Sequence, residues 1–185
     1  MAGAPTNIMT KLTVSADGTT FDWEVFQLNK RPTRLPESTF FTFNPLLPET
    51  RGWGLTVLGS EMDPLDVIGR IVQGSDPIST YVESEYGGSP HLCGVESAFY
   101  RHAQPKTASS ADVEEGFVLT SLDVPVMCTG KATPFVSPRT SPPDMSYGIS
   151  WNIYQNIWNT NYVQWYPFQE RDRHILSRFR MEFGK

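Results

Sequence analysis

Apolar and polar residues alternate with a period of two along almost the whole chain, and this period more than any motif limits what the chain can fold into. It is clearest near the C-terminal end, where Ile175, Ser177, Phe179, Met181 and Phe183 interleave with Leu176, Arg178, Arg180 and Glu182. Side chains two apart share one face of a strand, so this run reads as a half-buried strand tying the end of the chain into a sheet. Runs 11–15 and 19–28 repeat the pattern on either side of Ala16-Asp17-Gly18, and Asp-Gly is a strong hairpin signal. In the second of these, Phe21, Trp23 and Val25 look one way while Thr20, Asp22 and Glu24 look the other. Prolines interrupt the ladder over 31–36, and 38–43 resumes it with Phe41 and Phe43 on one face. Further strand patterns fall at 53–58, 94–101, 116–126, 148–158 and 161–166.

One helix start stands out: Asp63 as cap, Pro64 at the first helical position and Asp66 in the first turn, with Gly69 ending it within two turns. The remainder is irregular. Residues 1–10 read as an N-terminal extension, and 70–89 as a long loop carrying Gly74, Pro77, Gly87, Gly88, Tyr81 and Tyr86. Segments 104–115 and 129–146 read as surface excursions, the second holding four prolines. About eight to ten strands with one short helix predict a single all-β domain over 1–185, an antiparallel β-sandwich.

Composition narrows the function. Fifteen Lys and Arg against twenty Asp and Glu give a net charge of −5, which argues against a nucleic-acid binder. No apolar stretch approaches the roughly 18 residues of a spanning helix, and no basic segment leads into an apolar core near Met1. The expectation is a cytoplasmic protein without a membrane partner. Cys93 and Cys128 match no zinc or redox spacing, and His91, His102 and His174 include no pair at metal-ligand spacing. Neither a metal nor another cofactor is called for.

Chemistry concentrates in 150–168, which holds Trp151, Asn152, Tyr154, Asn156, Trp158, Asn159, Asn161, Trp165 and Tyr166. In an unbroken strand Trp151 and Ile153 share one face, and Asn152, Tyr154 and Asn156 share the other. Amides beside flat rings suit a sugar or polyol, and equally an apolar ligand with a few polar groups. Each residue taken singly also suits a core tryptophan or a turn asparagine. A row of polar side chains between tryptophans is unusual for a core strand.

The run Trp158-Asn159-Thr160-Asn161-Tyr162, with Trp165-Tyr166 and the closing Arg178-Phe179-Arg180-Met181-Glu182-Phe183, resembles the C-terminal end of uncharacterised α-mannosidase-like proteins related to glycoside hydrolase family 38. Three blocks agree in order. They are Arg34-Leu35-Pro36-Glu37 before Phe41-Thr42-Phe43, then Gly59 with Asp63-Pro64 and Asp66-Val67, then Ser121-Leu122-Asp123-Val124-Pro125. The resemblance runs from about Thr13 to the end and implies a mutarotase-like supersandwich, here as a stand-alone chain. Such hydrolases carry their metal ligands and nucleophile in an N-terminal α/β domain that this chain does not supply. The chain also has Cys93-Gly94-Val95 where the family pattern has His, a small residue and Val.

Unaided glycoside hydrolysis requires two carboxyl groups about 5–9.5 Å apart. The candidates Asp66, Glu96 and Asp123 read more simply as a helix N-terminal charge, an outward strand residue and a strand-end acceptor. Three functions remain. The first is a cofactor-independent cyclase or isomerase, with Asn152, Asn156 and His91 as catalytic residues. Trp151, Tyr154, Trp158 and Trp165 would line its substrate pocket, with Tyr81 and Tyr86 joining His91 as a lid. The others are a glycan- or ligand-binding module and an accessory subunit docking on a separate hydrolase chain. A homo-oligomer is compatible with any of them.

Overall fold

The computed structural model describes residues 3–33, 35–65, 93–101, 116–133, 143–156 and 168–184, and the segments 70–73 and 80–83 by their backbone. The architecture is all-β, and every described strand pair is antiparallel. Seven strands form the larger sheet. Its spatial order runs β1 (Asn7–Val14), β2 (Thr20–Leu28), β13 (Ile175–Phe183), β10 (Gly116–Ser121), β9 (Ser97–Arg101), β4 (Trp53–Val57) and β5 (Ser60–Met62). The smaller sheet has four, in the order β3 (Glu37–Phe43), β12 (Ile149–Asn156), β11 (Val126–Thr129) and β8 (Cys93–Gly94).

The two sheets face one another through aromatic side chains from the inward parity of each strand. Trp23 of β2 meets Phe43 of β3 edge-on at 5.5 Å between ring centroids. Phe179 of β13 stacks on Phe41 at 5.1 Å, lies 5.4 Å from Phe43 and 6.1 Å from Trp151. Such contacts add about 0.5–1.5 kcal/mol per pair beyond the burial of ring area. Val25, Leu119, Met127, Ile149 and Met181 complete one contiguous core with them. The outward parity of the larger sheet is charged instead, with Asp22 paired to Arg180 at 2.8 Å and Glu24 to Lys11 at 2.6 Å.

The Asp-Gly turn joins β1 to β2 as the sequence indicates. Gly18 adopts φ +73°, and the Asp17 carboxylate accepts from Thr19 N at 3.1 Å, Thr19 Oγ1 at 2.9 Å and Ser15 Oγ at 2.5 Å. Gly148 opens β12 at φ +67°, and a Cβ there would collide with the Phe43 carbonyl oxygen. Only glycine lets β12 approach β3 this closely.

Three expectations change. The described part of the helix start is a turn over 64–65 in which Asp63 Oδ1 accepts from Leu65 N at 2.7 Å, while 66–69 lie outside the described residues. Helical structure among the described residues is confined to the 3-10 turns Met145–Tyr147 and Glu170–Arg173. Within 70–89, β6 (Arg70–Gln73) and β7 (Thr80–Glu83) pair as an antiparallel ribbon, with Val72 opposite Tyr81. Their apolar pairs are too short to show a period. Finally, β1 begins at Asn7, inside the segment read as an extension.

Candidate functional site

The amide-rich strand β12 does not keep its alternation. Its register with β3 pairs Ile149 with Phe43, Trp151 with Phe41 and Asn152 with Phe40, then slips so that Tyr154 meets Thr39 and Asn156 meets Glu37. Ile153 is the extra residue of a β-bulge, and one extra residue exchanges the faces of everything beyond it. Tyr154 and Asn156 therefore join Trp151 on the inward face, and Asn152 stays outside. This corrects the expected row of Asn152, Tyr154 and Asn156.

Outside, the polar side chains bond to one another. The Asn152 and Gln155 carboxamides meet at 2.8 Å, the Ser38 hydroxyl donates to Gln155, and Thr42 and Ser150 share a hydroxyl bond of 2.8 Å. Inside, the Trp151 ring has no exposed surface and sits in the core against Phe179. Asn156 Nδ2 donates to the Thr33 carbonyl at 3.3 Å. Of the other candidate residues, Tyr81 lies on β7, opposite Val72. His91, Trp158, Trp165 and Tyr86 lie outside the described residues.

Beyond Asn156 and Tyr154 the structure shows a feature the sequence did not announce. Lys30, just past the end of β2, is 1% exposed. Its ammonium donates to the Gly3 carbonyl at 2.9 Å and to Glu37 Oε1 at 2.5 Å, and stands 4.1 Å from the centre of the Tyr154 ring. All three directions of the ammonium are thereby used. Desolvating a charge is costly unless it is paired, and this set of partners is what holds the lysine inside. The Lys30 backbone N–H also donates to the Arg173 carbonyl at 3.0 Å, fixing this corner to the start of β13.

Lys30 marks one end of the inter-sheet space, and the strands entering that end turn polar side chains inward. On β2 the inward series runs Phe21, Trp23, Val25 and then Gln27; on β13 it runs Met181, Phe179 and then Ser177, which pairs with Val25. Gln27 and Ser177 are both 1% exposed. Neither end of the Gln27 carboxamide, nor Ser177 Oγ, nor Asn156 Oδ1, nor Trp151 Nε1 one layer further in, has a hydrogen-bond partner among the described residues. An unsatisfied buried group costs about 1–3 kcal/mol, so several toward one end call for a polar companion. The signal was present in the sequence as a glutamine and a serine at core parity.

The carboxylates weighed for hydrolysis have structural partners. Asp123 accepts from Arg178 N at 2.8 Å, Nε at 3.0 Å and Nη2 at 2.7 Å, and these bonds hold its carboxyl below the ordinary range. Glu96 Oε2 accepts from Gly59 N at 3.3 Å. Asp66 lies outside the described residues. Glu37 pairs with Lys30. Cys128 is a buried thiol. No group of three or more His, Cys, Asp or Glu among the described residues is placed to hold a metal ion. No described helix is long and apolar enough to cross a membrane.

A separate cleft of about 240 Å³ lies against β4, bounded by Thr50, Arg51, Trp53, Asp63, Leu65 and Met145. It shares no lining residue with the polar end. The chain matches no protein-family model, no curated protein and no solved structure.

Proposed function

We propose that this chain is a small-molecule-binding β-sandwich whose ligand is held at the polar end of the inter-sheet space, between Gln27 and Ser177 of one sheet and Asn156 of the other. The supporting observation is that Gln27, Ser177 and Asn156, toward one end of the inter-sheet space, carry buried hydrogen-bonding atoms without described partners. Their chemistry favours a neutral compound bearing carbonyl or hydroxyl groups. Gln27 and Ser177 can each donate and accept, Asn156 Oδ1 accepts, and the Trp151 indole N–H donates. A charged ligand is less suited, because Lys30 and Glu37 already neutralise one another.

In this reading the chain acts without cofactor, as a cyclase or isomerase. Amides fixed on rigid strands hold a flexible carbonyl compound in one conformer, and the unspent N–H donors of Gln27 and Trp151 favour negative charge developing on its oxygen. The resemblance to the β-domains of mannosidase-like proteins belongs to the same proposal, as the source of the sandwich. Among the described residues the tryptophans Trp23, Trp53 and Trp151 are buried or half-buried and offer no open platform for a glycan.

The test is native mass spectrometry of the purified chain, paired with thermal unfolding of Gln27→Leu and Ser177→Ala. A co-purified or added neutral carbonyl compound that raises the wild-type midpoint, and no longer does so in either variant, supports the proposal. Should both variants unfold at higher temperature than wild type while every tested compound binds them equally, these groups are merely a structural cost and the proposal fails.

A further inference from the structure

The larger sheet has two edges, and they are built differently. At one edge β5 is three residues long, carries Glu61 and is held by a bidentate Arg101–Glu61 pair at 2.7 and 2.8 Å. At the other, β1 is eight residues long and exposed throughout. It contains no proline, and its register with β2 is unbroken from Asn7 to Val14. Long, regular edges are rare because they pair with other chains, and the lysine that β1 carries, Lys11, is tied to Glu24 of its own β2.

The hydrogen-bond phase tells which groups β1 leaves open. Phe183 N donates to Thr19 O, so the odd residues of β2 bond toward β13 and the even ones toward β1. Ser15 N donates to Thr20 O, which agrees: in β1 the odd residues are spent on β2. Ile8, Thr10, Leu12 and Val14 therefore present their backbone N–H and C=O groups outward. The same residues lie opposite Gln27, Val25, Trp23 and Phe21, so their side chains share the inward face of the sheet. The smaller sheet, with four strands against seven, leaves Ile8 62%, Leu12 50% and Val14 47% exposed there.

We infer that β1 is a self-association edge, at which a second copy of this chain adds its own β1 antiparallel about a two-fold axis at Thr10. An axis normal to the sheet keeps inward residues opposite inward residues, which permits registers centred on Thr10 or on Lys11. Centring on Lys11 would set two lysines face to face in the closer kind of pair, about 4.5 Å between Cα atoms, where like charges are unfavourable. Centring on Thr10 sets Lys11 against Met9 and Ile8 against Leu12 of the second copy, and leaves each Lys11 on its own Glu24 at 2.6 Å. Charge thus selects the register. The product is one continuous sheet in which the overhanging apolar strips of both copies adjoin.

Sedimentation and light scattering across a concentration series should give a dimer of the full chain that dissociates on dilution. Thr10→Pro removes only an outward N–H, and Leu12→Lys places a charge on the inward strip. Both should be monomeric with an unchanged far-ultraviolet circular dichroism spectrum. In an otherwise wild-type chain, Thr10→Cys should cross-link two copies on mild oxidation, because hydrogen-bonded partners stand about 5.5 Å apart at Cα. Leu12→Cys, which keeps Lys11 and faces Ile8 of the second copy in this register, should do so far more slowly. A wild-type monomer at all concentrations, a dimer that survives both edge variants, or preferential cross-linking through Leu12→Cys would each overturn the inference. None of these outcomes depends on ligand binding at the polar end.

Discussion

The two ends of the inter-sheet space share β2 and β13 and use opposite chemistry. At one end Phe117 is stacked on Tyr100 at 5.8 Å, meets Trp53 edge-on at 5.6 Å and lies 5.9 Å from Phe183, which in turn meets Phe21. At the other, Gln27, Ser177, Asn156 and Lys30 occupy the equivalent inward positions. Burying rings gains free energy in proportion to the area removed from water, whereas burying amides and hydroxyls gains nothing until they are bonded. The difference teaches where stability is stored and where it is given up. Among the described residues, unsatisfied polar atoms are concentrated at one end, with Trp53 Nε1 the exception among the apolar rings, the pattern expected where a site has been set into a scaffold.

The largest effect should come from the apolar end. Phe117→Ala removes a ring that touches three others and should cost about 3–5 kcal/mol in urea unfolding. Because this end is remote from Lys30, the loss should leave ligand-induced shifts in midpoint intact. A cost below about 1 kcal/mol would mean that the rings are not the main store of stability and would erase the contrast.

Next comes the lysine. Lys30→Ala leaves Glu37 half-buried without its partner and releases the Gly3 carbonyl, and should cost about 3 kcal/mol. The informative comparison is with the double variant Lys30→Met/Glu37→Leu, in which both charges go and volume is kept. More than half of the lost stability should return, since much of the single-variant penalty is the stranded carboxylate. If the double variant is as unstable as the single one, the pair is a net stabiliser and the polar end is not a cost at all.

What the sequence made legible follows the same division. β2 and β13 stand in the text as alternations, and the structure places them at Thr20–Leu28 and Ile175–Phe183, within one residue of their expected bounds. The bulge in β12 was hidden because Ile153 continues the apolar-polar rhythm while the backbone slips by one. That single residue moved Tyr154 and Asn156 inside and left Asn152 outside. Lys30 was illegible for a different reason. A lysine beside a proline-rich turn is almost always solvated, and only the meeting of Gly3, Glu37 and Tyr154 from distant parts of the chain makes it a buried residue. Gln27 and Ser177 were legible in principle, as polar residues on the apolar parity of otherwise ring-bearing strands.

A smaller effect separates the polar end from the outer face of the same sheet. Ser177→Ala removes a buried hydroxyl without a described partner, so the ligand-free chain should be unchanged or gain up to about 1 kcal/mol. Asn152→Ala takes away a half-buried amide bonded to Gln155 and should lose up to about 1 kcal/mol. Opposite signs in chemical unfolding would distinguish an inward face that costs stability from an outward one that supplies it. Equal losses in both would remove that distinction.

The smallest effect tests the exposed turn at the root of β1 and β2, far from either end in chemistry. Bonds from Ser15 and from the Thr19 backbone and side chain lower the Asp17 carboxyl to about 2. A folded-state value below the unfolded one means that its contribution to stability is complete above roughly pH 4, the unfolded range. That contribution is lost as the pH falls through about 2. Asp22 and Asp123, lowered by Arg180 and Arg178 respectively, act in the same direction. Asp17→Asn keeps the turn's acceptor oxygen but cannot titrate, so between pH 4 and 2 its stability should fall less steeply than that of the wild type. The Asp17 side-chain carboxyl carbon, followed by nuclear magnetic resonance, should titrate near 2. A midpoint close to the ordinary aspartate value would show that the turn's hydroxyl and amide bonds do not persist in solution, and with them the geometry that starts the edge strand.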